Sequence, residues 1–391
     1  MEKKKTLWVI SELFYPEETS TGYIMTEIAN SLTSKYIVKV ICGPEVYDDK
    51  KKRDKDSTQK LNPSIELFRV KAVRENKKNP LSRAYKFITI SKRIFKVAQK
   101  NIISGDVVFM VSNPFPLILA MARLRKQRDF RLVMLVHDVF PEGLIKRFHL
   151  KGLLAKCAMR KFNDAYAQTD TLISLGRDMC DLLKRKTDCK TEIVQIENWA
   201  DLDNIHPLNK KQHDSIVLQY AGNIGRAQGI QQIIECVKDA GNPKLKLDIW
   251  GGGSMEEELK KMVEDDGLRE VVSFRGPYFR SQQELVLNDC DIAVVSLRAD
   301  MYGRGVPSKT YNIMAAGKPI LYIGPKNSEI GLMVEEEGIG FSFTNEDRDG
   351  VVKLLKSLTL ERLSGLGQKA RILAEKRFAE QTILNKFCEV V

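Results

Sequence analysis

Gly303 to Ile320 read "GRGVPSKTYNIMAAGKPI". A glycine-flanked arginine leads into a Pro-Ser-Lys helix start, the short helix closes on Gly317-Lys318-Pro319, and an apolar run follows. Loop, capped helix and buried strand in this order form the repeating unit of an α/β protein. The same order suits a pocket for a phosphorylated ligand. With Ser308 at or near a helix N-terminus, unpaired backbone N–H groups and the positive end of the helix dipole favour an anion, and Gly303 and Gly305 let backbone approach it closely. Lys309 adds a full positive charge; the plain alternative is a solvated first-turn lysine, set unfavourably against the dipole.

Working outward, apolar runs of four to seven residues alternate with helix-like segments through almost the whole chain. That alternation predicts parallel sheets with helices on both faces. The expected strands of the first half are Leu7 to Ile10, Ile37 to Ile41, Ile65 to Val70, Val107 to Val111, Leu132 to Val136, Leu172 to Ser174 and Glu192 to Ile196. A second series comprises Ile216 to Tyr220, Leu245 to Trp250, Val271 to Phe274, Ile292 to Ser296, Pro319 to Ile323 and Gly340 to Phe343. Between them lies "ENWADLDNIHPLNKKQHDS", polar, turn-rich and without a strong period, which marks the junction. The expected layout is an N-terminal Rossmann-like domain over 1–200, a linker over 201–214, a second Rossmann-like domain over 215–372, and a helix over 373–391 that crosses back to the first. Two doubly wound domains so joined are expected to face each other across a cleft, with ligands at the carboxyl ends of the strands.

A chain of 391 residues fits two domains of ordinary size, and 43% hydrophobic with 29% charged residues is a globular composition. The seven cysteines (Cys42, Cys157, Cys180, Cys189, Cys236, Cys290 and Cys388) are scattered, without a CxxC or Cys/His cluster, which suggests neither a disulfide framework nor a zinc site and points to a reducing cytosol. The N-terminal apolar stretch is too short for a signal-peptide core, and no apolar run is long enough to span a bilayer. The net charge of +12 is uneven: Lys50 to Ser104 alone carries 17 Lys/Arg against 4 Asp/Glu. Within it, "LSRAYKFITISKRIFKVAQK" (81–100) sets Tyr85, Ile88, Ile94, Phe95 and Val97 among Arg83, Lys86, Lys92, Arg93, Lys96 and Lys100. That is a basic amphipathic helix suited to an anionic membrane surface; the alternative is a sheet-packed helix with a solvated charged face. No recognisable DNA- or RNA-binding motif accompanies the charge, so nucleic acid is not an expected partner.

Taken together, "HDVFPE" (137–142), "ENWADLDNIHP", "YAGNIGRAQGI" (220–230), "IWGGGS" (249–254), "VSFRGPY" (272–278) and "VPSKTYNIMAAGKPI" (306–320), with Gly22 after the first strand, resemble the retaining glycosyltransferases of family 4. The resemblance spans nearly the whole chain and is especially to bacterial enzymes that extend lipid-linked surface polysaccharides. It implies the two-domain GT-B fold, a nucleotide-sugar donor, UDP-linked by expectation, a lipid-linked saccharide acceptor, no cofactor and no metal. With the cysteine usage and the basic helix, the expected place is cytoplasmic, peripheral on the inner face of the cytoplasmic membrane through residues 81–100. Carried over residue by residue, the resemblance assigns donor binding to Asn223, Gly225, Arg226, Gln228, Tyr278, Arg304, Ser308, Lys309 and Asn312, and an acceptor or phosphate loop to Thr21 and Gly22. His137 and Asp138, at a strand end, can orient a hydroxyl, accept its proton or contact the donor sugar. With Lys309 they make up the expected catalytic set.

Two departures from the family stand out. The family carries two glutamates where this chain has Arg304 and Asn312, and an arginine and a lysine where it has Asn223 and Gln228. Asn312 can still donate and accept, Arg304 only donates, and Arg226 with Lys309 are the replacements for the diphosphate charges. Asp289-Cys290-Asp291 mimics a metal-binding DxD, yet its place between a short helix and an apolar strand reads as a structural turn. His206 and His149 lack companion ligands at metal spacing. A sugar-nucleotide epimerase of the same fold and a catalytically silent nucleotide-sugar-binding subunit are the competing readings.

Overall fold

The computed structural model describes residues 4–17, 19–45, 59–73, 80–208 and 215–391. The lysine-rich stretch near Lys50 and the end of the expected linker lie outside them. All thirteen strands expected from the apolar runs are present, most with ends shifted by a residue or so. The chain divides into two compact units: Met1–Glu197 with Gly303–Gly305 and Leu384–Val391, and Asn198–Tyr302 with Val306–Ile383. Arg304, expected on the donor side, thus belongs to the first unit.

Unit 1 holds a seven-stranded parallel sheet in the order β3-β2-β1-β4-β5-β6-β7. Its strands are β1 (Thr6–Ser11), β2 (Ile37–Cys42), β3 (Glu66–Arg69), β4 (Val107–Val111), β5 (Arg131–Leu135), β6 (Thr171–Ser174) and β7 (Glu192–Gln195). The central strands are apolar on both faces because helices cover both, so β4 is buried at every residue. The helices are α1 (Ser20–Leu32), α2 (Pro80–Asn101), α3 (Pro116–Gln127), α4 (Glu142–Arg147), α5 (Gly152–Tyr166) and α6 (Arg177–Thr187). Gly22, in the first turn of α1, is buried, and a Cβ there would lie 2.1 Å from the Glu17 carbonyl oxygen, so only glycine fits this approach.

Unit 2 holds a six-stranded parallel sheet in the order β10-β9-β8-β11-β12-β13. Its strands are β8 (Ile216–Ala221), β9 (Leu245–Trp250), β10 (Val272–Gly276), β11 (Ile292–Ser296), β12 (Ile320–Gly324) and β13 (Gly340–Thr344). The helices are α7 (Ile230–Ala240), α8 (Glu256–Asp265), α9 (Gln283–Asn288), α10 (Lys309–Ala315), α11 (Glu329–Glu337), α12 (Arg348–Lys356), α13 (Leu360–Leu363) and α14 (Leu366–Arg377), and a last helix, α15 (Glu380–Val390), starts here and runs into unit 1. The core is aliphatic, with Leu218, Ile234, Leu247, Ile249, Ile292 and Leu355 almost fully buried. Chain order reverses between β1 and β4 in one sheet and between β8 and β11 in the other, and ligands of doubly wound sheets gather outside such reversals.

The last residues return to unit 1. Phe387 of α15 is buried with its ring 6.1 Å from that of Phe109 on β4, edge to face. Arg131 donates to the main-chain oxygens of Val390 and Val391. The basic helix forms as α2, but its faces differ from the sequence expectation. Lys86, counted with the charged face, is buried, whereas Tyr85 and Ile88 stand outside with Lys92, Arg93, Lys96 and Lys100. Ile90, Ile94 and Ala98, spaced one turn apart, form the packed stripe.

Candidate functional site

In unit 1 the ends of β4 and β5 lie side by side, and the residues just beyond them converge. Ser112 Oγ accepts from the backbone N–H groups of both His137 (3.1 Å) and Asp138 (3.2 Å), fixing the turn after β5. Asn113 then donates from Nδ2 to Asp138 Oδ2 at 2.6 Å. From the reversal point, Thr21 brings Oγ1 to 3.4 Å from His137 Nδ1. His137 Nε2 is buried with no hydrogen-bond partner among the described residues. Burial lowers the His137 pKa from 6.5 to about 4, so the ring is neutral at physiological pH and either nitrogen can carry the proton. Asp138 is exposed, yet surrounding protein atoms raise its pKa through desolvation, against the opposing pull of Asn113 and Arg304.

Arg304 is tied in through its backbone, whose carbonyl accepts from Val139 N–H at 3.1 Å. Its guanidinium reaches so close to Gly143 that a Cβ there would sit 2.6 Å from Nη2. Asp178 Oδ2 accepts from Gly303 N–H at 3.0 Å. Beneath, Lys186 Nζ donates to Glu142 Oε1 at 2.6 Å in a buried ion pair, while Glu142 Oε2 has no partner among the described residues. Desolvation lowers the Lys186 pKa, partly offset by Glu142.

In unit 2 the turn after β8 is built backbone on backbone. Gly222 N–H donates to Trp250 O and Ile224 N–H to Gly252 O, both at 3.0 Å. Gly251, at φ 122°, lies so close that a Cβ would fall 1.9 Å from Gly222 O. "GNIG" and "WGGGS" are therefore two halves of one device. The Lys309 side chain runs over this turn, its Cδ 3.7 Å from where a Cβ of Gly222 would be. Its Nζ lies 3.4 Å from the centroid of the buried Tyr220 ring, whose hydroxyl donates to Asn223 O at 2.8 Å. Lys309 Nζ is buried and has no hydrogen-bond partner among the described residues, and burial lowers its pKa well below 10.5. Gln228 Oε1 and Thr310 Oγ1 are likewise buried without partners among the described residues.

Ser308 is the residue before the first turn of α10, but its side chain caps nothing. Asn223 and Arg226 are exposed, and Gly225 precedes a single 3-10 turn, Arg226–Gln228. Asn312 is engaged at both ends: Oδ1 accepts from Asp201 N–H (3.0 Å) and Nδ2 donates to Gln283 Oε1 (3.2 Å). Tyr278 sets its ring edge to face against Trp250 at 6.1 Å, and burial raises its pKa to about 12. Asp291 Oδ2 accepts from Val217 N–H at 2.8 Å, a turn contact. His206 Nδ1 pairs with Glu284 at 3.0 Å. No cluster of His, Cys, Asp or Glu able to hold a metal occurs among the described residues.

Sequence reading missed Ser112, Asn113, Tyr220 and Trp250. Each lies at the carboxyl end of an expected parallel strand, as His137 does, and Tyr220 and Trp250 fall within the motifs "YAGNIGRAQGI" and "IWGGGS". What the two sites can do is distinct. Unit 1 presents a neutral imidazole beside a carboxylate, fit to orient and polarise hydroxyls; unit 2 presents a lysine amino group on an aromatic floor, without a hydrogen-bond partner among the described residues and fit to take a proton together with an anion.

Comparison with known proteins gives three kinds of likeness. A family model described as "Glycosyl transferases group 1" matches residues 201–376. "Probable glycosyltransferase WbjE" of Pseudomonas aeruginosa is 30% identical over 98% of this chain and 97% of its own. Among solved structures, WaaG, "a glycosyltransferase involved in lipopolysaccharide biosynthesis", aligns at TM-score 0.67 with 12% identity over 98% of this chain and 99% of its own. Anabaena HepE, solved in complex with UDP-glucose, aligns at TM-score 0.65 with 14% identity over 99% of both chains. The fold likeness is to the GT-B architecture.

Proposed function

The chain belongs to the glycosyl transferase group 1 family, and we propose that it is a retaining, family 4-type enzyme of bacterial surface-polysaccharide synthesis. In this reading it moves a sugar from a UDP-linked donor to a lipid-linked saccharide at the inner face of the cytoplasmic membrane. Support for UDP comes from the UDP-glucose bound to HepE, and support for the pathway class from the part WaaG plays in lipopolysaccharide biosynthesis. The observation that carries the reading is Lys309: a buried amino group without a hydrogen-bond partner among the described residues, over the carboxyl end of β8. Its charged form is stabilised when a diphosphate arrives, and more so as the bond to the sugar breaks and charge builds on the leaving phosphate.

Transfer then proceeds on one face of the sugar. The bond from the anomeric carbon to the diphosphate oxygen breaks, the acceptor hydroxyl oxygen bonds to that carbon, and the hydroxyl proton passes to the departing phosphate. His137 and Asp138 hold and polarise the reacting hydroxyls. With Lys309 and Arg226 supplying positive charge, the step needs neither metal nor cofactor. The exposed cations of α2 bring the enzyme to anionic lipid. A binding screen against UDP-, GDP- and ADP-sugars, followed by assay of free nucleoside diphosphate with and without acceptor, tests the proposal. Selective UDP-sugar binding with acceptor-dependent release supports it. Sugar inversion without acceptor, or binding without release, overturns it.

A further inference from the structure

Gly143 to Phe162 read "GLIKRFHLKGLLAKCAMRKF", with six Lys/Arg and no Asp/Glu. This segment forms α4 and most of α5, and it is poorly covered by the rest of unit 1. No residue of α4 is buried, and α5 buries only Phe162, Ala165 and Tyr166, in its last turns. Leu153 is 82% exposed, Leu154 67% and Phe148 42%. Lys146, Arg147, Lys151 and Lys156 are exposed or half-exposed around them. Large apolar side chains gathered in one place and left to water mark an interaction surface.

The surface continues onto α2. The connections β3-α2-β4, β4-α3-β5 and β5-α4-α5-β6 all cross the sheet in one direction, and right-handed crossovers put their helices on one face. There α3 packs against both α2 and α5. Ring contacts link Phe87 of α2 to Phe115, and Phe115 to Phe140 and Phe162, with centroids 5.4–6.4 Å apart. Tyr85 and Ile88, with Lys92, Lys96 and Lys100, extend the same mixture of apolar and basic groups.

Resting on the membrane-surface reading above, we propose that the α4–α5 hairpin is an apolar anchor, with Phe148, Leu153 and Leu154 entering the headgroup region of an anionic bilayer. Charge selects this occupant. A second copy bound symmetrically would bring two patches of like sign together, since the hairpin's two carboxylates, Glu142 and Asp164, already lie beside Lys186 and Arg160. A bilayer surface supplies negative headgroups at the depth of the lysine and arginine heads and hydrocarbon below them, where the leucines end.

Flotation of the full-length protein with phosphatidylcholine vesicles, with and without phosphatidylglycerol, reads the partition directly. Wild type is expected to float with anionic vesicles, and Leu153→Ser/Leu154→Ser to lose about ten-fold or more of that partition while keeping wild-type UDP binding and thermal unfolding. Lys92→Gln/Lys96→Gln/Lys100→Gln separates the two contributions, because it removes charge and leaves the anchor. In Leu154→Trp, the fluorescence of the introduced indole should shift to the blue on vesicles and be quenched by brominated lipid chains. A leucine double variant that floats like wild type, or an indole emission from Leu154→Trp that stays solvent-like on floated protein, overturns the anchor while α2 docking survives. Wild type that never floats overturns both and leaves the transferase reading to the nucleotide assays. Lipid-independent dimers abolished by the leucine substitutions would reassign the face to self-association.

Discussion

Lys309 is stacked on Tyr220 without a hydrogen-bond partner among the described residues, a position that costs free energy until an anion compensates the charge. Replacing it has opposite effects on stability and function. Lys309→Met, which keeps the stem and removes the charge, should raise the melting temperature of the free protein. Lys309→Ala should lower turnover about 100-fold or more, since a charge on a developing oxyanion is worth about 3 kcal/mol. A folded Lys309→Ala enzyme with near-normal turnover would remove Lys309 from the site. Because burial depresses the free pKa and a bound diphosphate raises it, UDP binding should take up a proton at Lys309 and weaken as pH rises between the two values. Calorimetry in buffers of different ionisation enthalpy would show the uptake in wild type and its loss in Lys309→Met.

His137 gives the second residue-scale test. Its folded pKa of about 4 lies below the ordinary 6.5, so the unfolded chain binds the extra proton between those values. The contribution of His137 is therefore complete above pH 6.5 and is lost as pH falls toward 4. His137→Gln should flatten the fall in melting temperature across that window; an unchanged slope would mean the imidazole is not held neutral. In assays, His137→Ala and Asp138→Asn should impair transfer more than UDP binding, because both residues belong to the unit without Lys309.

At the scale of elements, the carboxyl-terminal helix α15 is a structural part of unit 1. Phe387 is 1% exposed and packs on Phe109, and Tyr36 Oη and Arg131 bond to the terminal main chain. Phe387→Ala leaves a cavity in that core and should cost about 3–5 kcal/mol. Chemical denaturation followed by a probe in unit 1 would measure it, and a loss below about 1 kcal/mol would show that the helix docks only loosely. The two glycine turns of unit 2 work at this scale too, since "GNIG" can lie where it does only because Gly251 has no side chain to meet it.

For the whole molecule, the consequential property is a basic chain, +12 overall, with exposed cations on α2 and on the α4–α5 segment among the described residues. No described helix is long and apolar enough to cross a membrane, so lipid contact would run through that surface. Ligand linkage is the other whole-molecule test. UDP at about 100 times its dissociation constant should stabilise the protein by about 2.7 kcal/mol, with ADP and GDP lagging. Equal shifts from all three would remove the preference for uracil. Turnover that survives chelation of divalent cations would support metal-free transfer, and turnover lost on chelation and restored by a cation would refute it.

The amino-acid sequence by itself determined the fold class and the place of each strand, because a strand covered on both faces must be a continuous apolar run bounded by polar turns. It also pointed to His137 and Asp138, since polar residues just beyond such runs fall at the ligand-binding edge, and to Lys309 as a cation at the start of a helix. Tertiary structure alone decided which of these groups meet. Tyr220 and Lys309 are far apart in sequence, and only the order β8-β11-β12 with α10 between its strands stacks one on the other. Asn113 reaches Asp138 because β4 and β5 are hydrogen-bonded neighbours. Arg304 joins unit 1 although the residues on either side of its short segment belong to unit 2. The exposed leucines of α5 follow the same rule: only packing shows which face of that helix is left uncovered. Local pattern is set by periodicity along one segment, whereas contact depends on strand order and on which faces neighbours already fill.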